Sequence, residues 1–201
     1  LQGQEGNTHF LRMNEPIRET MPPEKTRTDH RLQGRNLPDI HSWTNLHWRY
    51  EADRFAPRTA EMTVRWLEEN YQHDPFFLWV DFFDPHEPWD PPEYLVKRYA
   101  PDYDGVPMIH PNYGKASDLT EGELRNLRAH YCAESEMVDR AIGRILDKLE
   151  DLQLWDNSIV LFMADHGMSL GEHNRTGKSN INDRDDRFWP VYPEVAHEPC
   201  M

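Results

Sequence analysis

The sequence predicts an α/β protein, a mixed sheet flanked by helices, and three observations predict it. Residues following Pro57 carry one helical apolar stripe, and a second, longer stripe runs to about residue 150. Two short runs, 76–80 and 158–164, are continuously apolar, as strands buried on both faces are. The order is helix, strand, long loop, helix, strand, the alternation of a layered α/β sheet.

The first helix rests on Ala60, Val64, Leu67 and Tyr71, spaced i, i+4, i+7 and i+11 with Glu61, Arg65, Glu68 and Glu69 between them. Asp74-Pro75 interrupts it, and Phe76-Phe77-Leu78-Trp79-Val80 follows as the first strand. From Asp84 to Pro111 prolines recur and no period holds, which reads as a long excursion at the end of that strand. Thr120 starts the second helix, and Glu123 three residues later completes a capping box. Its stripe is Leu124, Leu127, Tyr131, Val138, Ile142, Ile145 and Leu149. The second strand, Ser158 to Ala164, runs out into Asp165-His166-Gly167, and the remainder is polar and loop-like.

Residues 1–56 read as an irregular, loop-rich segment and 57–201 as the α/β part of one partial domain. Turn formers such as Met21-Pro22-Pro23 and Asn36-Leu37-Pro38 punctuate the first part, while Trp43 and Trp48 need something to pack against. For 14–36 an ordered crossing loop and a disordered arm stand equally.

Charge and composition remove several classes. With 22 Lys and Arg against 36 Asp and Glu, the chain carries a formal charge of −14. Such a surface repels a polyanion, so nucleic acid is excluded as a main partner, whereas a small anion can be held by a few local cations and a metal. Seven Trp, eight Tyr and eight Phe argue for a packed core. No run approaches the ~18 apolar residues of a membrane span, and Cys132 and Cys200 form no metal-type spacing. Both ends look internal, so localisation is not read.

Chemistry concentrates at the two strand ends, where open α/β sheets bind ligands. Asp165 and His166 place a carboxylate beside an imidazole, and Gly167 lets the chain turn so that both can reach one ion. An oxygen and a nitrogen donor suit Zn or Mn, while Ca or Mg prefers more oxygens. On spacing alone the pair reads first as an Asx-type turn with a solvated histidine. The glycine-punctuated loop beyond holds Lys178, a compact cation suited to a tetrahedral oxyanion, or else an ordinary solvated lysine. His173 reads as a surface histidine rather than a third ligand, and the sequon Asn174-Arg175-Thr176 as chance. At the first strand end, Asp84-Pro85-His86-Glu87-Pro88-Trp89 aims His86 between two prolines, as a proton donor to an ester or as a structural histidine beside Trp89. The set Asp183, Asp185 and Asp186 with Arg184 and Arg187 lacks EF-hand spacing and reads as a solvated charged turn.

Taken together, residues 59–199 resemble the sulfatase family of the alkaline-phosphatase superfamily. The likeness is carried by the run 76–80 leading into Pro85-His86-Glu87-Pro88, the helix with Asp139 and Gly143, and Ile159 to Gly167 leading into Gly171-Glu172-His173 and Gly177-Lys178. The resemblance implies an alkaline-phosphatase-like sulfatase catalytic domain, present in part. It implies Asp165 and His166 as metal ligands, Lys178 on the sulfate group, and His86 near the leaving-group oxygen. The implied cofactor is a divalent metal, calcium by family, with Mn or Zn fitting His166. The family nucleophile, a formylglycine made from cysteine in Cys-x-Pro-x-Arg, has no match here; Cys132 is followed by Ala-Glu-Ser-Glu. The expected function of the parent protein is hydrolysis of a small sulfate ester, with a phosphonate monoester or phosphodiester hydrolase as the first alternative. A non-catalytic anion-binding protein is the second. For the 201 residues alone no turnover is expected.

Overall fold

The computed structural model describes residues 37–179, 190–198 and 200–201. Segment 1–36 and the charged turn 183–187 lie outside them.

A single long helix organises the body. Helix α4 spans Glu121–Asp151 and opens on the capping box read from the sequence: the Glu123 amide donates to Thr120 Oγ1 at 3.3 Å, and the Thr120 amide donates to Glu123 Oε2 at 2.7 Å. Three apolar clusters form along it. Leu127 packs with Trp89, Met108 and Leu119 near its start. Ala129, Ala133 and Met137 receive Leu95 and Val96 of α3 (Glu93–Tyr99). Val138 and Ala141 meet Ala56 and Ala60 of α2 (Phe55–Asn70). The small residues on α4 let α2 and α3 approach closely.

Helix α2 buries Ala60 and Leu67 as its stripe requires, joined by Thr63, while Tyr71 lies past its end and is exposed. Two short helices depart from the expected irregular regions. Helix α1 (Leu37–Thr44) starts at the supposed Asn36-Leu37-Pro38 turn, because proline is tolerated in the first turn of a helix. Helix α3 follows Pro91-Pro92 and is too short for a period to show, yet it buries Leu95 and Val96.

The two apolar runs do not form buried strands. Residues 76–80 and 158–162 belong to no helix or strand, with Phe77 83% and Ile159 91% exposed. Backbone pairing there is limited, among the described residues, to Phe162 with Met201 and the bridge of Met163 to Cys200. A strand of a parallel sheet is buried only when neighbours pair along both edges and helices cover both faces, and the described residues supply neither in full: one residue pair and one bridge flank the second run, and Trp66 of α2 meets Phe76 of the first. The described sheet is a short antiparallel hairpin, β1 (Ser169–Leu170) with β2 (Thr176–Gly177), in register Ser169 to Gly177 and Leu170 to Thr176.

Candidate active site

Lys178 leaves the end of the β1–β2 hairpin, and the hairpin is fastened on two sides. Arg128 of α4 donates to the Leu170 carbonyl at 2.6 Å. On the other side Thr176 is fully buried; its amide donates to Gly114 O at 3.1 Å, and its hydroxyl donates to Asn112 Oδ1 at 2.5 Å. Gly177 has φ of 108°, and a Cβ there would lie 2.8 Å from the Tyr113 ring. Glycine is needed at that position for both reasons.

His86 is fixed from the opposite direction. The buried Trp89 donates its indole N–H to Pro85 O at 2.7 Å and packs edge-on against Tyr131 of α4, anchoring the Pro-rich loop in the core. The His86 amide donates to Phe83 O at 3.0 Å, and its ring lies 4.7 Å from that of Phe83. Its Nδ1 sits 2.8 Å from Glu87 O. A carbonyl can only accept, so Nδ1 carries the proton and Nε2 presents its lone pair.

That lone pair faces Lys178: Nζ and Nε2 are 2.7 Å apart across 92 residues of sequence. The chain therefore brings together two of the four residues singled out from sequence, an ammonium donor and a neutral imidazole. The sequence reading passed over a third group beside them. Glu87 is only 4% exposed; its Oε1 lies 3.9 Å from Lys178 Nζ and accepts the Tyr113 hydroxyl, and its Oε2 lies 3.5 Å from His86 Nδ1. Burial pushes the Glu87 carboxyl up, but His110, His86, the Tyr113 hydroxyl and Lys178 together hold it below its ordinary value. The only local sign of it was a glutamate next to a histidine between two prolines.

The other pair is open to solvent. The Asp165 side chain is 90% exposed, and its Oδ1 accepts the His166 amide at 2.9 Å. His166 Nδ1 donates to Gly167 O at 3.0 Å, leaving Nε2 as an acceptor 3.7 Å from Asp165 Oδ2. Two lone-pair donors at that spacing fit a small divalent ion between them, which takes such ligands at about 2.0–2.2 Å. They are two donors rather than a full set: among the described residues no group of three His, Cys, Asp or Glu could hold a metal. His173 is engaged elsewhere, stacked on Tyr192 at 3.8 Å with Nε2 3.3 Å from Glu194.

Behind the His86 loop lies a buried acidic set. Asp84 accepts the Ala56 amide of α2 at 2.9 Å and so caps that helix. Burial pushes its carboxyl up to about 6, opposed by the Ala56 amide, His41 and Glu134. Burial, with Asp84 and Asp90 nearby, raises Glu134 of α4 well above the usual range.

The sulfatase family model matches residues 6–201. The chain belongs to the sulfatase family. It is similar to an arylsulfatase of Clostridium perfringens, 29% identical over 68% of this chain and 31% of that protein. It is also similar to human iduronate 2-sulfatase, 31% identical over 60% of this chain and 27% of that protein. Among solved structures it resembles the phosphonate monoester hydrolase of Agrobacterium radiobacter, with a TM-score of 0.58 and 25% identity over 76% of this chain and 33% of that one. That likeness gives the alkaline-phosphatase-like fold, of which this chain is a part. The chain spans about a third or less of the length of the curated relatives it matches. Sulfatases generally use a divalent metal, and no described helix is long and apolar enough to cross a membrane.

Proposed function

We propose that these residues form part of the catalytic domain of a sulfuric ester hydrolase, and that His86 and Lys178 receive the ester. The observation that carries this is the 2.7 Å contact of Lys178 Nζ with the unprotonated His86 Nε2, built by two separately anchored loops. In this reading Lys178 binds one non-bridging oxygen of the ester group and neutralises charge that develops there. His86, its Nδ1 held by the Glu87 carbonyl, aims Nε2 into the site; once Nε2 has taken a proton from solvent it can donate to the leaving-group oxygen and pass that proton to the departing alcohol.

Asp165 Oδ2 and His166 Nε2 would hold a divalent ion, with further ligands from outside the described residues. When bound, the ion supplies Lewis-acid stabilisation of the ester oxygens. The nitrogen donor favours Mn or Zn, and calcium is the ion expected from the family resemblance. The substrate would be a small sulfate ester. A phosphonate monoester is the second reading, favoured by the likeness to the Agrobacterium radiobacter hydrolase.

The test is a parallel assay of the full-length protein on aryl sulfate and aryl phosphonate esters, with metal removed and restored. Metal-dependent sulfate release is expected, abolished by Asp165→Ala. Wild-type rates in that variant would refute the ligand assignment, and turnover of phosphonates alone would select the second reading.

A further inference from the structure

We propose that Glu87 sets the charge selectivity of this site: its buried carboxylate offsets Lys178, so that groups carrying one negative charge are favoured over dianions. The inference rests on the reading of His86 and Lys178 as the groups that receive the ester anion.

The charge count follows from contacts already described. His86 is neutral, because Nδ1 donates to a carbonyl while Nε2 faces an ammonium at 2.7 Å. Lys178 contributes one positive charge and Glu87, 3.9 Å away, one negative charge. Water does not screen the carboxylate, since Glu87 is 4% exposed, and Oε2 makes no hydrogen bond among the described residues. A buried oxygen left without a donor is costly, and its charge is felt by whatever Lys178 binds. The Tyr113 hydroxyl on Oε1 fixes the carboxylate's place without altering its charge.

An anion held by Lys178 therefore meets this field through the lysine. Sulfate monoesters, phosphonate monoesters and phosphodiesters carry a single charge there, whereas phosphate monoesters carry two at alkaline pH. A second unit charge at roughly 6 Å from a poorly screened carboxylate is disfavoured on the order of tenfold or more. A bound metal adds the same attraction with and without Glu87, so the ratio between two anions isolates the carboxylate.

The experiment compares two non-hydrolysable probes of matched shape, methanesulfonate as the monoanion and methylphosphonate as the dianion. Dissociation constants are measured by isothermal titration calorimetry at alkaline pH, on the full-length protein and on Glu87→Gln, whose amide oxygen still accepts from Tyr113. Expected is a gain for methylphosphonate about tenfold larger than that for methanesulfonate. An unchanged ratio in a folded Glu87→Gln protein overturns the proposal. Tyr113→Phe keeps the carboxylate and should hold the ratio within about twofold of wild type, and a collapse there overturns it independently by showing that packing sets the ratio. Aryl sulfate turnover by the wild type is scored separately. Turnover with an unmoved ratio sinks only the role of Glu87; no turnover with a ratio that moves sinks only the hydrolase reading. Failure of both anions to bind both wild type and variant sinks both.

Discussion

Replacing Asp84 by asparagine should make the protein progressively more stable than wild type as pH rises. Asp84 is buried, and its pKa stands at about 6 against an ordinary value of 3.8. A carboxyl raised in the folded state binds its proton more tightly there than in the unfolded chain. The stability it contributes is thus present below the unfolded value and is lost as pH rises through the folded one. A rise of roughly two pKa units at 1.36 kcal/mol each gives about 3 kcal/mol lost between about pH 4 and pH 6. The substituted asparagine would not titrate, and its amide oxygen can still accept from Ala56. The Ala56 amide and His41 face residue 84 in both proteins, whereas Glu134, which Asp84 helps to raise, titrates with it, so the comparison reads the Asp84–Glu134 pair together. Urea unfolding followed by tryptophan fluorescence, at pH 4 and pH 7.5, gives the stability of each. The advantage of Asp84→Asn should grow by about 3 kcal/mol over that range. A difference that stays constant would refute the argument, since it would mean that Asp84 ionises in the fold as it does in water.

Two further outcomes follow from the anchoring of the site, and a third from α4. Trp89→Phe removes the donor to Pro85 O and leaves a gap beside Tyr131, so thermal unfolding should show a loss of about 2–3 kcal/mol. Gly177→Ala should cost at least about 2 kcal/mol, because φ is 108° and the methyl meets Tyr113, and it should weaken anion binding by displacing Lys178. Gly143→Ala on α4, where nothing lies within 4 Å of the new methyl, should instead stabilise by about 0.5–1 kcal/mol.

Helices α2 and α4 were legible because a 3.6-residue period needs only a local reading, and the Thr120–Glu123 box marked where α4 begins. Helices α1 and α3 were not, since eight and seven residues beside prolines hold too few turns for a stripe to emerge. The runs 76–80 and 158–164 show a different limit. Apolar composition records what a segment is suited to pack against, while its burial depends on neighbours that no local pattern supplies. At the site, His86 and Lys178 drew attention singly by their loops, and the link across 92 residues belongs to the tertiary fold. Glu87 stayed hidden because one glutamate among many carries no local sign that it will be buried.

The hairpin that delivers Lys178 also settles when a sugar could be added to this chain. Asn174 donates its amide to Ser117 Oγ at 3.3 Å and accepts the Ser117 backbone amide at 2.8 Å, while the Thr176 hydroxyl of the same sequon is buried on Asn112. Asn174 is exposed, but a transferase that must also reach the Thr176 hydroxyl finds it buried in the folded hairpin. Any glycan on Asn174 would have to be attached before folding, and it would then compete with the contacts that hold the lysine loop in place.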